Sequence, residues 1–181
     1  AAIMEANARA GDDDIFIPEG TYKLLIDGVD EDLSATGDLD ITDTSGQLRI
    51  TGAGTELVTI DGNLAQRIID QHSGTTAIVS FLTLANGQNT YGGGIRITDA
   101  DTELSNANIT SADMGGGVYI DGTAVVNIVN SNITNNIGVS VAFGVGGITI
   151  PNSEAVVTIS HSVLDGNKTI LGDGGGAIYN G

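Results

Sequence analysis

The chain has no cysteine, no tryptophan and only two prolines among its 181 residues. Without cysteine there is no disulfide scaffold and no thiolate nucleophile or zinc–thiolate site. Basic residues are scarce: six Lys and Arg stand against 23 Asp and Glu, a net charge of −17. Six cations cannot neutralise a run of phosphates, so nucleic acid is excluded as a partner class. An anionic membrane surface repels the chain for the same reason. No apolar run approaches the ~20 residues of a membrane helix, so no membrane insertion is expected. No charged-then-apolar leader is visible.

Glycine is abundant instead, at 27 residues, and isoleucine occurs 22 times. No strict Gly-x-y period accompanies the glycine, which excludes collagen. β-branched residues with interspersed glycine indicate short strands and tight turns.

The order of these residues is repetitive. Gly92-Gly93-Gly94-Ile95 returns as Gly115-Gly116-Gly117-Val118, loosely as Val145-Gly146-Gly147-Ile148, and as Gly174-Gly175-Gly176-Ala177. A second marker runs in step: Phe81-Leu82-Thr83-Leu84-Ala85, Asn106-Ala107-Asn108-Ile109-Thr110, Asn130-Ser131-Asn132-Ile133-Thr134 and His161-Ser162-Val163-Leu164-Asp165. Between markers, pairs such as Ile95/Ile97, Val118/Ile120 and Ile148/Ile150 alternate with period two, and Asp-Gly and Pro-Asn dipeptides (Asp121-Gly122, Pro151-Asn152) punctuate them. A repeat of 23–31 residues built from short strands is one coil of a parallel β-helix, in which each coil buries its apolar column only by stacking on the next. The expected fold is therefore all-β: a single-stranded parallel β-helix over residues 12–181. Division by ~24 residues per coil gives about seven coils. Ala-rich residues 1–11, ending at Gly11, read as a short amphipathic helix that caps the first coil. Ile15-Phe16-Ile17 reads as the first strand, and Gly20-Thr21-Tyr22 as a turn into Leu24–Ile26.

Several motifs in order carry a family resemblance. Ala2-Ile3-x-x-Ala6-Asn7-Ala8, Gly20-Thr21-Tyr22, Gly37-Asp38-Leu39-Asp40-Ile41, Ile50-Thr51-Gly52-Ala53-Gly54, Ile60-Asp61-Gly62-Asn63 and the GGGI repeats resemble the CSLREA-type β-helix surface proteins. The GGGI and Asn-x-Ile-Thr-x-Asn pattern also resembles polymorphic outer-membrane-protein repeats. The resemblance implies a right-handed coil, export, and an extracellular or cell-surface role, with no defined reaction. The family's Cys-Ser-Leu-Arg opening is missing, and its members are longer, so the chain reads as a section of such a protein.

Candidate chemistry is sparse. Glu31, Asp32, Asp38 and Asp40 lie in the densest acidic stretch, and carboxylates two apart on a strand offer hard oxygens to calcium. Asp99, Asp101 and Glu103 repeat that spacing more thinly. The EF-hand and repeat-in-toxin patterns are both absent, so a solvated acidic loop is the competing reading.

A glycan-cleaving enzyme needs paired carboxylates on adjacent coils. Aligned coils give one column as Asp61, Ala85, Thr110, Thr134 and Asp165, with its two acids several coils apart. Arg96 aligns with Tyr119 and Thr149, and no other column is expected to pair acids. His72 and His161 have no acidic partner at a readable spacing and read as plain strand positions. Asn106, Asn108, Asn130 and Asn132 are expected to form amide ladders, and Tyr91, Tyr119 and Tyr179 could present a flat sugar-binding face.

The functional expectation is an extracellular structural or adhesive solenoid. A polysaccharide-active enzyme and a carbohydrate-binding module are the alternatives. Ile170, Leu171, Ala177, Ile178 and Tyr179 form the C-terminal edge. That edge predicts pairing either with further coils of the same polypeptide or with a second copy, head to tail.

Overall fold

The computed structural model describes residues 1–28, 31–139, 145–151, 154–170 and 176–181. Leu171, Gly174, Gly175 and Asn152, singled out above, lie outside the described residues. The chain forms a parallel β-helix preceded by α1 (Ala2–Asn7).

Six rungs follow. The first is β1 (Asp13–Ile17), β2 (Gly20–Lys23) and β3 (Leu39–Ile41); the second is β4 (Gln47–Gly52), β5 (Val58–Asp61) and β6 (Ile69–Gln71). The third is β7 (Thr76–Ser80), β8 (Thr83–Ala85), the two-residue β9 (Gln88–Asn89) and β10 (Ile95–Thr98). The fourth is β11 (Asp101–Ser105), β12 (Asn108–Thr110), β13 (Asp113–Met114) and β14 (Val118–Asp121). The fifth is β15 (Val125–Val129), β16 (Asn132–Thr134), β17 (Ile137–Gly138) and β18 (Ile148–Ile150). The last is β19 (Val156–Ser160), β20 (Val163–Asp165), β21 (Lys168–Thr169) and β22 (Ile178–Asn180).

Three six-stranded parallel sheets result: sheet A, from β1 to β19; sheet B, from β2 to β20; and sheet C, from β3 to β22. The described residues form six rungs rather than about seven, because most rungs are longer than ~24 residues. From Asp13 through Leu48, Ala77, Thr102, Val126 and Val157, successive rungs advance by 35, 29, 25, 24 and 31 residues. The extra length of the first rung lies in the 24–38 loop between β2 and β3.

Gly20–Lys23 corrects the expected turn. These residues are a strand that pairs with Val58–Asp61, so the bend comes earlier, at Pro18–Glu19. The capping helix is also shorter than residues 1–11, ending at Asn7, with Gly11 at φ +104°. Ile3 and Ala6 face inward. The Asn7 side chain donates to Asp40 O at 2.8 Å and accepts from Thr42 N at 3.0 Å, binding β3 to the cap. That contact shields an edge strand that would otherwise be open.

The core is a set of apolar columns. Ile15, Ile50, Val79, Leu104, Ile128 and Ile159 stack in sheet A, and Ile60, Leu84, Ile109, Ile133 and Leu164 in sheet B, with the exposed Tyr22 at the open end of the second column. Each fully buried Ile or Leu contributes about 1.5–3 kcal/mol, available only while the next rung covers it. Gln71 interrupts the sheet C column and is fully buried. It donates to Asp101 O at 3.1 Å and accepts from Thr102 Oγ1 at 2.6 Å, so its amide is satisfied inside the coil.

The corners explain the second repeat marker. Phe81, Asn106, Asn130 and His161 all have φ between 49° and 56°, in the left-handed region where Asn is enriched. His161 is therefore a corner residue, not the strand residue expected. Asn108 and Asn132 do form a ladder, with Asn132 Nδ2 donating to Asn108 Oδ1 at 2.8 Å. A second, inward ladder went unread. Asn136 is fully buried; its Oδ1 accepts from Ala112 N, and its Nδ2 donates to Ile109 O and Asn167 Oδ1.

Gly116 turns the GGG corner at φ +76°, and a Cβ there would overlap Val145 O of the next rung. Among the described residues no helix is long and apolar enough to cross a membrane.

Candidate functional site

The outward column of sheet C runs Asp40, Asp70, Arg96, Tyr119, Thr149, Tyr179. Leu39-Asp40-Ile41, Ile69-Asp70-Gln71, Ile95-Arg96-Ile97 and Val118-Tyr119-Ile120 each place the middle residue outward, because strand side chains alternate. The expectation that no other column pairs acids is thereby overturned: Asp40 and Asp70 are register partners on adjacent rungs.

Asp70 is the hub of a buried ion-pair network. Arg96 Nε donates to Asp70 Oδ1 at 2.7 Å and Arg96 Nη2 donates to Asp70 Oδ2, a bidentate pairing. Arg67 Nε donates to Asp38 Oδ2 at 3.0 Å, while its Nη1 lies 3.1 Å from Asp70 Oδ2 without hydrogen-bond alignment. Burial pushes the Asp38 carboxyl up; the charges of Asp40 and Asp70 add to this and Arg67 opposes it.

His72, the residue after β6 and not the strand position expected, also has acidic partners, contrary to expectation. Its Nε2 lies 3.2 Å from Asp40 Oδ1, 3.9 Å from Asp32 Oδ1 and 4.0 Å from Asp70 Oδ2. The Asp40 hydrogen bond, helped by the charges of Asp70 and Asp32, raises the His72 pKa above 6.5 against a smaller effect of burial. Asp40 itself is 1% exposed, and its Oδ2 accepts from Ser34 N at 2.9 Å.

The four acids expected to bind calcium thus divide. Asp32 and Asp40 gather around His72; Asp38 lies with Asp40 and Asp70 beside Arg67. Glu31 accepts from Thr36 N at 2.7 Å and secures the loop. In the thinner set, Asp99 caps Thr123 N at 2.9 Å from a left-handed corner.

Two hollows flank the network. The larger, about 530 Å³, is lined by Asp70, His72, Tyr91, Arg96, Tyr119 and Asp121, among others. Tyr91 and Tyr119 meet edge to face there, centroids 5.1 Å apart. Burial, then the charges of Asp121 and Tyr91, push the Tyr119 phenol up to about 12, so it stays a hydrogen-bond donor at any physiological pH. The smaller hollow, about 270 Å³, lies against the 31–38 loop and includes Asp32, Asp38, Gln66, Arg67 and Asp70.

At the far end, Ile170, Ala177 and Ile178 are exposed on the last rung, whereas Tyr179 is half-buried. Val156 and Val163 are exposed on that rung as well.

Asp70, His72, Arg67 and Arg96 escaped the sequence reading as a group. The repeated apolar-x-apolar triplet, extended back to Ile69-Asp70-Gln71, is the signal that identifies their column. Comparison with family models, with curated proteins and with solved structures finds no match. The class defined by the fold is a parallel β-helix with a polar groove along one sheet.

Proposed function

We propose that this chain is an adhesive β-solenoid of the cell exterior whose sheet C groove binds neutral glycans without cleaving them. The observation that carries this reading is the Tyr91–Tyr119 pair in a hollow of about 530 Å³ also lined by His72, Arg96, Thr98 and Asp121. Aromatic faces pack on the C–H surface of a sugar ring, and the surrounding donors and acceptors match its hydroxyls. A net charge of −17 disfavours polyanionic glycans, and the main cation of the groove, Arg96, is committed to Asp70. Hydrolysis is not favoured, because Asp40 and Asp70 are 1% and 4% exposed and already engaged.

The test is a panel of neutral and acidic oligosaccharides followed by calorimetry. Saturable binding of a neutral glycan is expected, without new reducing ends. Tyr119→Ala should weaken it roughly tenfold, the equivalent of about 1.4 kcal/mol. Binding confined to acidic glycans, or indifferent to Tyr119→Ala, would contradict the reading.

A second observation favours a structural role alongside. On the last rung the inward columns are less covered: Ile178 is 44% exposed where its register partner Ile148 is buried, and Val157, Ile159 and Leu164 are half-buried where Val126, Ile128 and Ile133 are buried. At the other end an apolar hollow of about 310 Å³ is lined by Ile15, Phe16, Pro18, Tyr22 and Leu24. Two complementary apolar ends fit head-to-tail stacking of copies, and further coils of the same polypeptide would use the C-terminal edge in the same way. Sedimentation of residues 1–181 should show concentration-dependent growth; strict monomers at millimolar concentration would rule out stacking of copies.

A further inference from the structure

We infer that His72, Asp40 and Asp32 form a binding site for one divalent transition-metal ion of the zinc type, at the edge of the hollow that His72 also lines. The geometry is that of a partly assembled coordination shell. With zinc–ligand bonds of about 2.0–2.2 Å, tetrahedral donors sit about 3.4 Å apart. His72 Nε2 and Asp40 Oδ1 are separated by 3.2 Å and His72 Nε2 and Asp32 Oδ1 by 3.9 Å, and all three donor atoms lie within 4.8 Å of one another. An imidazole at the centre selects a transition metal over calcium, which takes six to eight oxygens.

The supporting shell is in place. Ser34 N holds Asp40 Oδ2, which fixes the carboxylate and leaves Oδ1 turned toward His72. Asp70 is held by Arg96 and lies against Arg67, which leaves the ligand role to Asp32 and Asp40. A separate observation marks the adjoining hollow as one that takes a polar occupant. Gln66, 5% exposed, lines it together with Asp32, and neither its Nε2 nor its Oε1 has a hydrogen-bond partner among the described residues. Buried amides left unpaired are uncommon, so the side of the hollow next to Asp32 is where polar groups are left unmet.

The test uses chain 1–181 stripped with chelator and titrated with Zn²⁺ by calorimetry and with Co²⁺ by visible absorption. One ion per chain is expected, with the Co²⁺ spectrum of a four-coordinate site, and equimolar Ca²⁺ should not displace it. His72→Gln and Asp32→Asn should each weaken binding at least about tenfold, the loss that removing even a supporting partner causes. His161→Gln, on a distant corner, should bind like the parent. Should His72→Gln fail to fold, Asp32→Asn decides, because Asp32 is 71% exposed. Absence of saturable Zn²⁺ binding, displacement by Ca²⁺, or parental affinity in Asp32→Asn would overturn the assignment.

Discussion

Replacing Arg67 by Met tests whether the buried charges of sheet C act as one network. Met keeps most of the side chain's apolar volume and removes the guanidinium that touches Asp38 and approaches Asp70. Asp70 retains Arg96 as its partner, so the loss falls mainly on Asp38. Leaving one partner of a buried pair uncompensated costs about 3–5 kcal/mol. The lower end applies here, because burial already raises the Asp38 pKa and the carboxyl can take up a proton instead. For a chain of this length about 3 kcal/mol lowers the melting temperature by roughly 6–12 °C.

The sign with pH follows from the raised value. Between pH 3.8 and that value the native state binds more protons than the unfolded chain, so the contribution of Asp38 to stability falls as pH rises through this window. The Arg67→Met penalty should therefore be largest at neutral pH and shrink in acid. Far-UV circular dichroism during urea and thermal unfolding measures it, and adding Asp38→Asn should recover much of the loss. A penalty below about 1 kcal/mol, or a double variant no more stable than Arg67→Met alone, would refute the network.

Two more outcomes follow from the same structure. Asn136→Ala strips partners from the buried Ala112 N–H and Ile109 C=O and should destabilise the coil by roughly 2–5 kcal/mol, read from urea midpoints. In the metal-free chain the folded pKa of His72 is raised, so its stabilisation is complete below pH 6.5 and is lost as pH rises through the folded value. The melting temperature should fall across that window in the parent, and the same fall in His72→Gln would contradict the assignment.

The repeat of the sequence was legible wherever two markers overlapped. The column Asp61, Ala85, Thr110, Thr134, Asp165 read from the Asn-x-Ile-Thr marker is the register of sheet B, and Arg96–Tyr119–Thr149 is the register of sheet C. Reading failed where the marker was missing. Ile69-Asp70-Gln71 follows Arg67-Ile68 rather than a glycine triplet, and its inward Gln71 breaks the apolar alternation. Its rung therefore carries no marker that aligns it, and nothing local in the sequence sets Asp70 and His72 beside Asp40. Gly20-Thr21-Tyr22 carries turn-forming composition, yet pairing with Val58–Asp61 overrides that local preference. The corner role of His161 was hidden for another reason: Phe81 and two asparagines share the position, and only backbone φ unites them.

The central claim is that neighbouring rungs of sheet C stack residue on residue, and engineered cross-linking tests it most directly in a chain that has no native cysteine. Thr98 and Asp121 are register partners on β10 and β14, about 4.8 Å apart and on the same outward face. A Thr98→Cys/Asp121→Cys variant should form an intramolecular disulfide nearly completely under mild oxidation, since the spacing lies within the Cα range that disulfides span. Thr98→Cys/Ile120→Cys, whose second side chain points into the core, should not. Equal cross-linking of the two pairs, or none in the first, would contradict the stacked register on which the column from Asp40 to Tyr119 depends.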